Sequence, residues 1–553
     1  MRNHFLRAKG VTTAAGTGVE TAPTVSVNSS LNTDEWTRIT QRSHYNVAYY
    51  YSAAVDKEGD GSIYKMLRSN AANYKIIKMT QSGAISWQKE LSYSGTAEYL
   101  IDGGWAIDNN GNLIIVGHYK DGNSTVSGGR CPLIMRVNSN GSIAWAYKFG
   151  TGHHSNANYN TGYSVVVNKD NDIFVTGVVR GSSAASNPYI TFLFRLTQTN
   201  TSASLQWYKK LEDSTTSGYL QPQGLKTISN SEYVYFLSNK NTNAYNISRI
   251  KYDASSIHNQ YIYRDSAWSQ NNSNQQSYDH PDYMHIDANG NFYLLWSYNY
   301  MNTAVIKLDK DLDVEWATEC SANSSTYEFV ASNVYSQKRC GSAIGATDVS
   351  GDVCFAFTTI ANSTDNFQYP NIYLACLDSS GDLNWDKIIT SLTTNGGTTS
   401  TQVTTSTNGN HTPFFIDGDT KDNFYLGGFF PGWRNSDSAD WQYYSSGGIL
   451  KHQSDTEPPN GNYISAASGN HVNEGGHSNP PSHWMNISAV SGYTFSSGSW
   501  TSSSTSPSGS YGGVELQNFP SNSGTWALTD VSSNVSVADV GTTEQGYTYK
   551  DTL

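Results

Sequence analysis

Three turn sequences place side-chain oxygens at alternate positions: Asp108-Asn-Asn-Gly-Asn112, Asp287-Ala-Asn-Gly-Asn291 and Asp309-Lys-Asp-Leu-Asp313. Short loops with oxygen ligands bind calcium, but none of the three carries the closing glutamate of an EF-hand loop. Asp and Asn also hydrogen-bond the backbone two residues on and tolerate left-handed conformations, so the same residues stabilise a tight turn with no ion. The turn reading is favoured, and no metal ligand is assigned.

Other chemistry is weighed the same way. The segment Asp378-Ser-Ser-Gly381-Asp-Leu-Asn-Trp385 approaches the Asp box of sialidase propellers, but two residues instead of one separate the aspartate from the glycine. Ala375, Asp378, Gly381 and Trp385 approximate a quinoprotein arrangement, with the aspartate displaced by one position and no adjacent cysteine pair. His153, His154, His280, His285, His411, His471, His477 and His483 read as scattered polar residues of loops and tail. A Gly-x-Ser-x-Gly elbow, a phosphate loop and a metalloprotease His-Glu pair are all missing from the sequence. The expectation is a non-enzymatic protein with no catalytic residue and no cofactor.

The five cysteines, Cys131, Cys320, Cys340, Cys354 and Cys376, contain no CxxC pair and no zinc spacing. Cys354 and Cys376 fall on predicted strands of one repeat and read as small buried apolar residues. Cys320 and Cys340 flank a loop and can pair, but free thiols are expected.

The elements that carry these residues recur about every 60 positions. One half of the unit is a glycine turn followed by tryptophan, as in Gly83-Ala-Ile-Ser-Trp87, Gly141-Ser-Ile-Ala-Trp145 and Gly381-Asp-Leu-Asn-Trp385, with related copies ending at Trp207 and Trp316. The other half, upstream, is an apolar residue, Asp or Asn, a polar turn and an aromatic or β-branched run, as in His285-Ile-Asp287-Ala-Asn-Gly290-Asn-Phe-Tyr293. Seven copies of the second half are present. Each unit holds two hairpins, hence four antiparallel strands. Seven such sheets close radially, so the fold class is all-β and the architecture a seven-bladed β-propeller. Trp87, Trp145, Trp207, Trp316 and Trp385 are read as structural blade anchors, each large enough to bury about 150–250 Å². The fourth copy has Tyr261 or a neighbour at the tryptophan position. The seventh has no clean equivalent, as expected if a terminal segment lends its outer strand.

The unit Asp-x-x-Gly-Asn-x-Tyr followed by Lys-Leu-x-x-x-Gly-x-x-x-Trp resembles the seven-bladed propeller repeat of bacterial secreted and surface proteins, which recurs in virion proteins of marine bacteriophages. The likeness spans residues 44–468. The opening Met1-Arg-Asn-His-Phe-Leu-Arg-Ala8 is similar to the starts of marine phage, cyanophage-like, structural proteins. The resemblance implies a virion structural protein (a tail nozzle or adaptor, a fibre or a capsid-surface appendage) that forms a symmetric homo-oligomer, binds other virion proteins and contacts a host surface glycan or protein. The alternative is an extracellular bacterial propeller that binds or cleaves carbohydrate.

Composition agrees with a polar, weakly charged surface: 37% hydrophobic and 14% charged residues, with 38 tyrosines. Such a palette suits adaptable contact surfaces. A net charge of −12 argues against nucleic acid as a partner, which requires a basic face. No secretory signal and no membrane span are read in the chain, so a virion protein made in the host cytoplasm and exposed on the particle is expected. Residues 1–43 read as an N-terminal arm, with Arg2, Arg7 and Lys9 as its assembly contacts. Residues 469–553, rich in Ser, Gly and Asn, read as a C-terminal extension, either a small β appendage or an extended arm ordered by a neighbouring subunit.

Overall fold

The computed structural model of the chain describes most of residues 53–465 and 483–551, together with 29–33 and 35–40. Outside the description lie 1–28, 41–52, 466–482, most connections between the second and third strands of a blade and between blades, and several links in the tail. The arm contacts Arg2, Arg7 and Lys9 therefore fall outside the described residues.

Tight turns cut the chain into strands where the sequence places Asp or Asn with Gly. In blade two, Asp108 N–H donates to the Asn112 carbonyl and Gly111 N–H to that of Asp108, with Gly111 at φ 74°. That turn joins Trp105–Ile107 to Leu113–Lys120, and the sheet continues through Arg130–Val137 and Ile143–Phe149. The pattern repeats, giving a seven-bladed propeller. Blade one starts at Ala53–Val55, blade three at Thr161–Val167, blade four at Gln221–Thr227, blade five at Met284–Ile286, blade six at Ser342–Ala346 and blade seven at Thr412–Gly418.

The core is not one mass but seven apolar clusters, one between each pair of neighbouring sheets. Between blades two and three, for example, Ile114 and Phe149 pack with Val175, Phe192 and Phe194. Among the described residues the smallest cluster lies at the seam of blades seven and one, where Val55, Ile63, Ile77 and Met79 meet Tyr425 and Ile449. Closing the ring there leans on other contacts.

A terminal segment does lend the missing strand. Blade seven has only three strands from its own repeat, and Trp36–Thr40 pairs antiparallel with Ser446–Gln453 as the fourth. The register sets Trp36 opposite Lys451.

The tail pairs with the chain's own blades. After blade seven the backbone forms Gly461–Ser465 and His483–Ala489, a hairpin added to the outer edge of blade six. Tyr493–Ser497 then joins blade five, Trp500–Ser503 blade four, Val514–Gln517 blade three, Leu528–Asp530 blade two and Val535–Asp539 blade one. Thr548–Asp551 finally pairs with Trp36–Thr40 in blade seven. The tail thus makes one lap of the propeller against the chain order, adding an antiparallel strand to the outside of every blade. Twist makes this possible: each step across a sheet turns the strand by about 20–25°, so by the fifth strand the direction has rotated by roughly 80–100° and runs along the rim.

The tail also contributes apolar side chains. Ile487, Trp500, Val514, Val531 and Val535 are buried, each within a cluster between two blades. Removing residues 483–553 therefore uncovers apolar surface and strips the outer strand from all seven sheets. The truncated chain is expected to melt at a lower temperature and to self-associate through the uncovered apolar surface. Unchanged melting and a monodisperse elution profile would contradict this role for the tail.

Candidate functional site

The acidic turns are occupied by the protein itself. Asp108 Oδ1 accepts the N–H groups of Asn110 and Asn112, each at 2.9 Å, while Oδ2 lies 3.0 Å from Arg136 Nη2 in a fully buried ion pair. Asp287 accepts from Asn291 N–H at 2.9 Å, Asn291 Nδ2 at 2.8 Å and the Tyr293 hydroxyl at 3.0 Å. Asp309 accepts the N–H groups of Asp311 and Asp313, and Asp378 those of Ser380 and Asp382. These carboxylates shape turns. Among the described residues no group of three or more His, Cys, Asp or Glu side chains is arranged to hold a metal ion.

The tryptophans fasten one blade to the next. Trp87 Nε1 donates to the Ser139 carbonyl at 2.8 Å, Trp207 to Tyr252 at 2.8 Å, Trp316 to Ser379 at 2.9 Å and Trp385 to Ser454 at 2.8 Å. For the first three the acceptor belongs to the third-to-fourth-strand turn of the following blade, and Ser454 directly follows the third strand of blade seven. Gly381 serves the same contact: at φ 86° it faces the Trp316 ring, and a Cβ would come within 2.8 Å of it. Trp145 differs, because Arg136 Nη1 takes the Thr199 carbonyl at 2.6 Å and the buried indole nitrogen makes no hydrogen bond. In blade four the register puts His258, not Tyr261, opposite Arg249, where other blades set tryptophan opposite Lys78, Arg136, Arg195 or Lys307.

Ionisable groups from five blades meet along the innermost strands. Lys226, His285 and Asp417 hold one register position in blades four, five and seven, opposite Tyr235, Tyr293 and Tyr425. The same position is Ala54, Ala106, Val166 and Gly345 in the other blades. Lys57, after the first strand of blade one, lies 3.2 Å from Asp417 Oδ1 and 3.9 Å from Asp348 Oδ2, and His285 Nε2 lies 3.9 Å from Asp417 Oδ1. His285 is therefore a buried inner-strand residue, not the surface histidine expected from the sequence. His153, His154, His280, His411, His471 and His477 lie outside the described residues.

Burial and charge divide the roles within this cluster. Burial disfavours charge on Lys57, yet Asp348 and Asp417 outweigh it and raise its pKa, so the ammonium persists. Burial likewise opposes ionisation of Asp417, but Lys57 and Lys226 draw its pKa below the ordinary value. Burial pushes His285 down to about 3, leaving a neutral ring at neutral pH, and pushes Asp348 up to about 6 against the pull of Lys57. Asp348 Oδ1 accepts the Ala288 N–H at 2.8 Å, while Asp348 Oδ2 and His285 Nε2 are buried without a hydrogen-bond partner. The cluster thus combines an ammonium, two carboxylates and a neutral imidazole, and two of its buried polar atoms make no hydrogen bond.

No protein-family model matches the chain, and no curated protein matches it. No helix among the described residues is long and apolar enough to cross a membrane.

Two outcomes follow from this geometry. Trp145 and Trp385 are 1% and 5% exposed, whereas Trp87, Trp207 and Trp316 are half-buried. Alanine at either of the first two is expected to cost about 3–5 kcal/mol in denaturant unfolding, and less at the other three; equal losses at all five would contradict the packing. The second outcome concerns Asp348, whose folded pKa lies above that of the free side chain. Its favourable contribution is present at low pH and lost as pH rises through about 6. Asp348→Asn should therefore gain stability relative to the parent between pH 4 and pH 8, by at most about 3 kcal/mol. A pH-independent difference would show that Asp348 is not the buried charge described.

Proposed function

We propose that the protein is a non-enzymatic structural component of a bacteriophage particle: a tail nozzle or adaptor, a fibre or a capsid-surface appendage. The observation that carries this reading is the complete outer lap of the tail, which fastens every blade from outside and brings both chain ends into one sheet. A platform bound in this way resists opening at any single seam, a property suited to a part that repeats around a symmetry axis and bears load. The repeat's resemblance to phage virion propellers supports the same reading. In it, identical copies assemble with other virion proteins, and the polar, tyrosine-rich surface meets the host.

A second reading, an extracellular propeller that binds or cleaves carbohydrate, is favoured by one observation: the unfilled Asp348 and His285 atoms beside Lys57 and Asp417. A saccharide hydroxyl both donates and accepts, as this set requires.

The readings separate experimentally. An antibody raised against the propeller is expected to decorate regular positions on purified particles in negative-stain images, with the chain at a fixed stoichiometry by particle mass spectrometry. Absence of the chain from purified particles would overturn the first reading. Glycan-array binding abolished by Lys57→Ala would support the second.

A further inference from the structure

We propose that Cys354 and Cys376 form a thiol–disulfide site that clamps the second and third strands of blade six when the chain folds in the presence of a thiol-oxidising disulfide such as oxidised glutathione. The two residues lie on neighbouring strands, Val353–Ala361 and Pro370–Leu377, directly opposite each other in an antiparallel register. Directly opposed residues in such a pair have Cα atoms about 4.5 or 5.5 Å apart, both within the range of about 4.4–6.8 Å spanned by disulfides. The sulfur atoms are in contact at 3.0 Å and unbonded. Closing that gap to the roughly 2.05 Å of a disulfide moves the sulfurs by about 1 Å.

The surroundings single out this pair. Cys131 belongs to blade two and Cys320 to blade five, in other sheets, and Cys340 lies outside the described residues. Both members of the pair are almost fully buried, at 1% and 0% exposure, and Cys376 also faces Trp385 on the fourth strand. Burial raises the Cys376 thiol well above its ordinary pKa, so little thiolate forms in the closed blade. Exchange therefore belongs to the open chain, and the finished bridge is shielded from reductants.

The exchange balances in two steps. A cysteine thiolate attacks one sulfur of oxidised glutathione and expels glutathione thiolate, leaving a mixed disulfide. The second cysteine thiolate then attacks the protein sulfur and expels the other glutathione. Two protein S–H bonds are lost, one S–S bond forms, and the glutathione disulfide is reduced to two thiols.

The full chain, unfolded and refolded in a mixture of oxidised and reduced glutathione, is blocked with iodoacetamide and digested without reduction by chymotrypsin, which cuts at Phe355, Phe357 and Tyr373 between the two cysteines. Peptides containing Cys354 and Cys376 should be joined, lighter by two hydrogens than the free pair. The bridged protein should melt at a higher temperature than the same chain refolded with a phosphine reductant. Alkylation of both cysteines, or a bridge from either to Cys320 or Cys340, would overturn the proposal. The map of the unaltered chain decides the question even if Cys354→Ala fails to fold.

Discussion

An antiparallel blade always ends in an edge, and seven blades around an axis present seven outer edges of unpaired N–H and C=O groups. Such edges invite pairing with other chains unless something covers them. Here one stretch of the same polypeptide pairs with all of them, in sequence, and its own strands, only three to five residues long, become the outermost edges, which are too short to invite further pairing. Backbone hydrogen bonding is indifferent to side-chain type, so the covering strands are free to be rich in Ser, Thr and Asn. They need only one or two apolar residues each, such as Trp500 or Val514, to seat between neighbouring blades.

Closure of the ring depends on that belt most at one place. Between blades six and seven, Trp385 reaches across to Ser454 and a sizeable apolar cluster fills the gap. Between blades seven and one the apolar cluster is small, and the Lys57–Asp417 ion pair spans the seam instead. The N-terminal strand Trp36–Thr40 lies between blade seven's own third strand and the last strand of the tail. Strands from both flanks of the ring thus secure the blade that, among the described residues, has the least core of its own. The inner cluster of Lys57, His285, Asp348 and Asp417 serves closure through the Lys57–Asp417 pair, while Asp348 Oδ2 and His285 Nε2 stay buried without a hydrogen-bond partner.

Much of this was legible in the residues. The Asp-x-x-Gly turns and the tryptophans at about 60-residue spacing announce hairpins and blade contacts, because turn chemistry and a large buried ring are both local signals. The strand Trp36–Thr40 is not legible as part of blade seven, since it lies far in sequence from the rest of its blade and no glycine turn precedes it. The tail's strands are visible only as short β-like pieces; Val514–Gln517 alternates apolar and polar residues over only four positions, too short a stretch to reveal its partner. The inner cluster is not legible because its members are about 60 or more residues apart in sequence. Aligning the inner strands on their turns would have exposed it, as Lys226, His285 and Asp417 occupy a position that is Ala, Val or Gly in the other blades.

The tail closes its own propeller and not a neighbour's. Glu212 on the fourth strand of blade three lies directly opposite Glu515 in the tail. Cysteines placed at both positions, oxidised briefly in dilute solution, test the claim directly. The account requires an intrachain bridge between residues 212 and 515 in a species of monomer mass. A bridge that appears only between chains, or none at all, would contradict it.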